Sequence, residues 1–147
     1  MDLSRTRQAL AVRHDWADLE TIRRVLEYDV WAIVGLSNHQ ERPAYGVAWR
    51  LQQAGKKIVP IHLSETEVLG EQAYPSLCDV PFAVDVADMF RRSSEVGAHV
   101  DEAIDVGLKA VWLQLDVIDE AACKRAKAAG LDVVMDRCSA VEIAVHR

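Results

Sequence analysis

No Gly-Lys-Ser/Thr step occurs in the 147 residues, which excludes a Walker A phosphate loop. No C-x-x-C pair occurs either. The three cysteines, Cys78, Cys123 and Cys138, are odd in number and far apart. That points to a reduced, cytoplasmic setting rather than a disulfide framework. No ligand pair has the spacing of a structural zinc site, so no metal is expected. Lys and Arg never run longer than two residues, and the net charge is −6. Nucleic acid and membrane surfaces, which require concentrated positive charge, are therefore not expected partners. No apolar run approaches the roughly 20 residues that span a bilayer. The opening MDLSRTRQALAVRHD lacks the apolar centre of a secretion signal.

What is present is an ordinary globular balance, half hydrophobic and 27% charged, in a length that suits one domain. The organising stretch is Asp29–Gly55. Val30–Val34 is apolar and β-prone, as a strand buried on both faces would be. Gly35 and Ser37 break the run, and Pro43 stands where a helix opens. Val47, Ala48, Leu51 and Ala54 then fall at helical spacing. Strand, glycine-containing loop and helix together aim backbone N–H groups and a positive helix end at one spot, which suits a phosphate.

Residues 1–28 read as an N-terminal arm followed by an edge helix over Leu19–Tyr28, capped by Asp18. Residues 29–147 read as the domain proper. Further strands are expected at Lys56–Ile61, Val84–Phe90, Lys109–Leu115 and Leu131–Met135. His62–Leu77 reads as a loop with one short turn. Asp85 and Asp88 do not keep to one face, so the far end of the third strand is expected to be irregular. Helices are expected after Ser93 or Ser94 and after Asp119. Alternating strands and helices imply an α/β, Rossmann-like three-layer sandwich. Its five-stranded, mostly parallel sheet would have the order 3-2-1-4-5. Ligands in such sheets bind beyond the carboxyl ends of the strands. That rule nominates Gly35–Arg42, Pro60–Ser64, Phe90–Arg92, Gln114–Asp116 and Met135–Ser139.

Only the first glycine of a dinucleotide fingerprint is present, and strand 2 ends in Ile61-His62 without a carboxylate; both features point away from NAD. Ser37 offers a hydroxyl, and Arg42, Arg91 and Arg92 stand at predicted ligand ends, which favours an anion. His39 and His62 are candidate bases without a nucleophile tied to them. His99 reads as a surface residue, and Cys78 and Cys123 as packing residues. Cys138, next to Arg137, is a candidate reactive thiol or a small buried turn residue.

Taken in order, VWAIVGLSNHQERPAY (Val30–Tyr45), IVPI (Ile58–Ile61), VLGEQAYPSL (Val68–Leu77), VDVADMFRR (Val84–Arg92), VWLQL (Val111–Leu115) and VVMDRC (Val133–Cys138) resemble the small stand-alone CoA-binding proteins of bacteria and archaea. These are similar to the N-terminal domain of the succinyl-CoA synthetase α subunit. The resemblance implies a module that binds coenzyme A or an acyl-CoA without chemistry of its own. It implies Gly35, Leu36 and Ser37 at the pyrophosphate with Arg42 close by. Pro60, Ile61 and His62 would border the adenosine. Phe90, Arg91 and Arg92 would lie on the nucleotide or pantetheine side, and Gln114 and Leu115 along the pantetheine path. The family usually continues strand 2 as Val-Asn-Pro-Lys or Arg, where this chain has Ile61-His62-Leu63-Ser64; Lys56 or Arg42 is the candidate replacement cation. It usually has Gly where Asp116 stands. The alternatives are a thiol or redox switch built on Cys138, acting with CoA, and an NAD(P)-binding regulator. A homo-oligomer or a protein partner is compatible with either.

Overall fold

The computed structural model describes residues 16–146. The elements run α1 (Leu19–Leu26), β1 (Val30–Val34), α2 (Pro43–Gln53), β2 (Lys57–Ile61), β3 (Glu67–Val68), β4 (Glu71–Gln72), a 3-10 turn (Leu77–Asp79), β5 (Val86–Met89), α3 (Ser93–Val106), β6 (Ala110–Leu113), α4 (Glu120–Ala128), β7 (Asp132–Val134) and α5 (Ser139–Val145). The five-stranded sheet has the order β2-β1-β5-β6-β7, and every pairing in it is parallel.

This is the Rossmann-like sandwich and the 3-2-1-4-5 pattern, with the outermost position reduced to a single parallel bridge between Ile61 and Tyr74. The Val84–Phe90 segment, third in the chain, does not take that position. It lies against β1. The reason is visible in both strands. Val86–Met89 is buried at every position and needs neighbours on both edges. Pro60 turns its carbonyl outward to the Tyr74 N–H (3.0 Å), so its missing donor lies on that same outer side of β2, where a full ladder would need it. Ligand-end geometry is thereby set between β1 and β5, where the connections leave the sheet in opposite directions.

Strand alternation divides the core in two. Trp31, Ile33, Val86 and Trp112 face α1, α2 and α5, whereas Ala32, Val34, Ala87, Met89, Val111 and Leu113 face α3 and α4. Trp31 and Trp112 pack 5.7 Å apart, and both indole N–H groups are satisfied, by the carbonyls of Tyr28 and Arg137. Asp18 caps α1 through the Thr21 N–H (3.0 Å), and Arg24 on that helix grips Asp132 of β7 with two nitrogens. Asp119 caps α4 as expected. Ser93 does not cap α3: Arg92 holds that position, and the Ser93 hydroxyl instead accepts the Ile118 N–H. Within His62–Leu77 the sequence pattern missed a two-residue hairpin. Leu69 and Gly70 both take positive φ (53° and 79°), the turn that matches strand twist. The tail after Cys138 forms α5. Among the described residues no helix is long and apolar enough to cross a membrane.

β5 is regular throughout, so the expected irregularity is absent. Asp88 sits fully buried in its centre, between Ile33 and Trp112. Gln114 Nε2 and Ser139 Oγ donate to its two carboxylate oxygens at 2.5 and 2.6 Å, and Gln114 Nε2 also donates to Ser139 Oγ at 2.7 Å. Burial pushes the Asp88 carboxyl up to about 7, against the opposing pull of the hydrogen bonds from Ser139 and Gln114. A folded-state value above the unfolded one, roughly 4, makes the protonated acid the form that favours folding. Its contribution is complete below about pH 4 and is lost as pH rises through about 7. Asp88→Asn is therefore expected to flatten the fall in melting temperature between about pH 5 and 8, and at about pH 8 to be at least as stable as the parent, by up to a few kcal/mol. Parallel melting curves for the two proteins across that range would rule the assignment out.

Candidate functional site

β1 ends at Gly35, whose φ is +95°. A Cβ there would lie 2.7 Å from the Phe90 carbonyl oxygen, so glycine alone lets the loop cross the end of β5 this closely. The Gly35 N–H donates to Ile61 O and the Phe90 N–H to Val34 O, both at 2.9 Å, which locks β2, β1 and β5 together at their exit. Above this seam opens a cavity of about 690 Å³, walled by Gly35 and the start of α2 on one side and by Phe90–Arg92, Gln114–Val117 and Cys138 on the other.

Gly35, Leu36 and Ser37, which the resemblance sets at a pyrophosphate, do not all present free donors to the cavity. Gly35 and Leu36 use their N–H groups inside the fold, and Leu36 is buried in the core. Ser37 is also buried, and its hydroxyl accepts the His39 N–H at 3.2 Å. The backbone N–H groups of Ser37, Asn38, Gln40 and Glu41 have no partner among the described residues and are the donors this loop retains.

Arg42, Arg91 and Arg92 all line the cavity. Arg24, Arg125 and Arg137 each meet a carboxylate elsewhere in the molecule. The guanidinium groups of the cavity's three arginines make no hydrogen bond or ion pair among the described residues. Arg91 is half-buried, and its Nε is wholly buried without a partner. That nitrogen lacks an acceptor inside the fold, while the residue as a whole lines the cavity. Asp116 is the single carboxylate among the lining residues. Its φ of +68° explains why glycine is natural at this point, and its N–H is held by Asp136 Oδ1 at 2.8 Å.

Gln114 is 4% exposed and lines the same cavity. Both hydrogens of its amide are directed at Asp88 and Ser139, so its carbonyl oxygen is the atom left for the cavity, an acceptor fixed from beneath. Sequence reading found Gln114 and placed Ser139 at the end of a nominated segment, but missed Asp88 and the support that both give Gln114. The signal was there: a carboxylate inside an otherwise apolar strand requires a buried partner. Cys138 is half-buried at the cavity wall. Cys123 is buried, its thiol pushed up to about 12 by desolvation, and is inert. Cys78 is exposed beside Ser76 rather than packed.

A second cavity, about 520 Å³, lies beyond β2 and is lined by Ile61, His62 and Arg91, with Glu95, His99 and Asp119 across it. Arg91 is common to both cavities. His99 is therefore a cavity residue, half-buried, not a surface one; burial and the nearby Arg91 hold it below the usual imidazole range. Pro60 is buried and lines neither cavity. Lys56 stands at the opposite end of β2, its ammonium on Leu26 O at 2.6 Å, so it is no substitute cation for this site. Among the described residues no three His, Cys, Asp or Glu side chains are grouped to hold a metal ion.

The sequence profile of a family described as "CoA binding domain" matches residues 29–144. YneT of Bacillus subtilis, an uncharacterized protein, is 32% identical over 116 residues, which cover 79% of this chain and 86% of that one. Acetate–CoA ligase (ADP-forming) II of Archaeoglobus fulgidus is 30% identical over 80 residues, 53% of this chain but 12% of the ligase. A hypothetical protein of Pyrococcus horikoshii OT3 is 36% identical and superposes with a TM-score of 0.82, over 86% of this chain and 89% of that one. The chain belongs to this family of CoA-binding domains.

The seam at Gly35 can be tested directly. Gly35→Ala is expected to cost roughly 2 kcal/mol or more, because both the positive φ and the Phe90 carbonyl oppose a side chain. Gly46→Ala, in α2 with open space around it, is expected to stabilise by about 0.5–1 kcal/mol. Equal melting temperatures for Gly35→Ala and the parent would show that β1 and β5 do not constrain each other here.

Proposed function

We propose that this member of the CoA-binding domain family binds coenzyme A, or a CoA-type ligand such as an acyl-CoA, as a non-catalytic module. The observation that carries the reading is the trio of unpartnered arginines, Arg42, Arg91 and Arg92, gathered on one cavity of a protein whose net charge is −6. An adenosine diphosphate joined to a pantetheine arm is long, anionic at its middle and amide-bearing at one end. Arg91, shared by both cavities, marks the middle, and the diphosphate lies there against the arginines and the free N–H groups of Ser37, Asn38, Gln40 and Glu41. The adenosine extends toward Ile61 and His62. The arm follows Val47, Leu115 and Val117, and one of its N–H groups donates to the Gln114 carbonyl. The arm's sulfur end comes toward Cys138.

No nucleophile–base pair lines the main cavity, which favours holding over turnover. Cys138 supports a second reading, in which the half-buried thiol at the cavity wall exchanges with a CoA disulfide. Nothing at the end of β2 favours NAD(P), since His62 stands in place of a carboxylate. A thermal-shift panel of CoA, acetyl-CoA, dephospho-CoA, NAD and NADP discriminates among these. A CoA-type ligand at about 100 times its dissociation constant should add roughly 2.7 kcal/mol of stability. Arg91→Ala is expected to weaken that ligand by about tenfold or more, as loss of a charge-assisted contact does. A shift with NAD or NADP and none with any CoA species would overturn the proposal.

A further inference from the structure

We infer that the adenosine end of this site is built for a ribose with a free 3′-hydroxyl, so that among CoA-type ligands it favours the dephospho-CoA class over CoA itself. The inference rests on the reading above and concerns the second cavity, beyond β2.

The argument is a census of charge around that cavity. Glu95 and Asp119 are its carboxylates. One oxygen of Asp119 caps α4 through the Ala122 N–H. The other stands 2.9 Å from where a Cβ of Gly97 would be, with Arg125 Nη2 3.6 Å from the same point, so the missing side chain at Gly97 lets that oxygen reach α3 at the cavity wall beside a guanidinium already held by Asp101. The His62 ring is engaged by its own loop, its Nδ1 accepting the Ser64 N–H at 3.2 Å. Burial, and then the nearby Arg91, hold the His99 imidazole below its usual range, which disfavours its charged form. Arg91 is the cavity's one guanidinium, and it stands at the junction with the main cavity, where the diphosphate needs it.

The chain that leaves β2 brings no cation to offset the cavity's carboxylates. From His62 to Gln72 it has neither Lys nor Arg; of its three glutamates Glu71 is paired with Lys57, and Glu65 and Glu67 have no cation partner among the described residues. Asn38 of the phosphate loop binds both the Glu65 carboxylate and the Glu67 carbonyl (2.8 Å to the latter), which draws this acidic segment against the loop. The two lysines of the β2 segment are at its far end, Lys56 on Leu26 O and Lys57 on Glu71. A 3′-phosphate brought to this end would meet carboxylates without a free cation. Free ribose hydroxyls would meet the same carboxylates as donors, the arrangement by which acidic groups select an unphosphorylated ribose.

The test is isothermal titration of the full chain with CoA and with dephospho-CoA at about 50 mM and about 300 mM salt. Dephospho-CoA is expected to bind tighter by about threefold or more at the lower salt, with the gap closing at the higher. Ser64→Lys is expected to move the ratio of the two affinities about tenfold toward CoA while leaving dephospho-CoA nearly unchanged. Glu95→Gln, at an exposed residue without a partner, should move the ratio the same way. Equal affinities, or CoA ahead in the parent protein, would overturn the inference while leaving the CoA-type reading intact. Failure of both ligands to bind would overturn that reading and this inference with it.

Discussion

The structure depends on one close approach. The chain leaving β1 passes over the end of β5 at a distance that only a glycine permits, with the Phe90 carbonyl where a Cβ of Gly35 would be. Because β1 and β5 are neighbours whose connections depart to opposite sides, the main crevice opens above this contact. The contact sets the depth of the cavity floor. It also sets the direction in which Arg42 on one connection and Arg91 and Arg92 on the other can face the same space. A side chain at residue 35 would push the two connections apart and separate the charges that the cavity gathers.

Electrostatics then divides the molecule. A net charge of −6 disfavours anions at long range, yet three arginines stand together on one cavity without carboxylate partners, while those of the outer surface at Arg24 and Arg125 are paired. Holding like charges together without partners costs stability, and the fold sustains it where the backbone is most firmly tied, at the exit of three hydrogen-bonded strands. Beneath the cavity the opposite problem is solved. Asp88 lies in the centre of the sheet, where an ionised carboxylate would be expensive, and its two oxygens are met by Gln114 and Ser139. The residue that answers this buried acid is also the one that faces the cavity. The orientation of the Gln114 amide is a consequence of core satisfaction.

Much of this was legible from residues alone. The strand-loop-helix unit at Asp29–Gly55 was, because a continuous apolar run, a glycine and a proline at a helix start each have one physical meaning. The arginines were found because strand ends predict ligand ends. What sequence could not place was pairing between distant segments. Pro60 inside a strand already indicated an edge, but only the pairing of Val86–Met89 with β1 shows which strand moved to the other side. The hairpin at Leu69–Gly70 was hidden because leucine rarely takes positive φ. Asp88 and Ser139 are fifty-one positions apart and meet only through the fold. Leu36 and Ser37 were nominated by adjacency to Gly35. The loop turns their side chains into the protein and leaves the N–H groups of Ser37, Asn38, Gln40 and Glu41 as its donors without a partner among the described residues.

The two cavities differ in what they offer a ligand, and the difference supports the proposed binding role. The main cavity offers cations, unengaged backbone donors and one fixed carbonyl acceptor, each held by elements that are themselves hydrogen-bonded or buried. Groups held in this way recognise a ground state: they need no proton movement and gain nothing from charge that develops during a reaction. The polar side chains that could move protons, His62, His99 and Glu95, lie across Arg91 in the other cavity. Cys138 is the thiol on the main cavity, and no imidazole or lysine lines that cavity beside it. The site thus separates its cluster of cations from its titratable groups, an arrangement that supports the proposed holding of a CoA-type ligand.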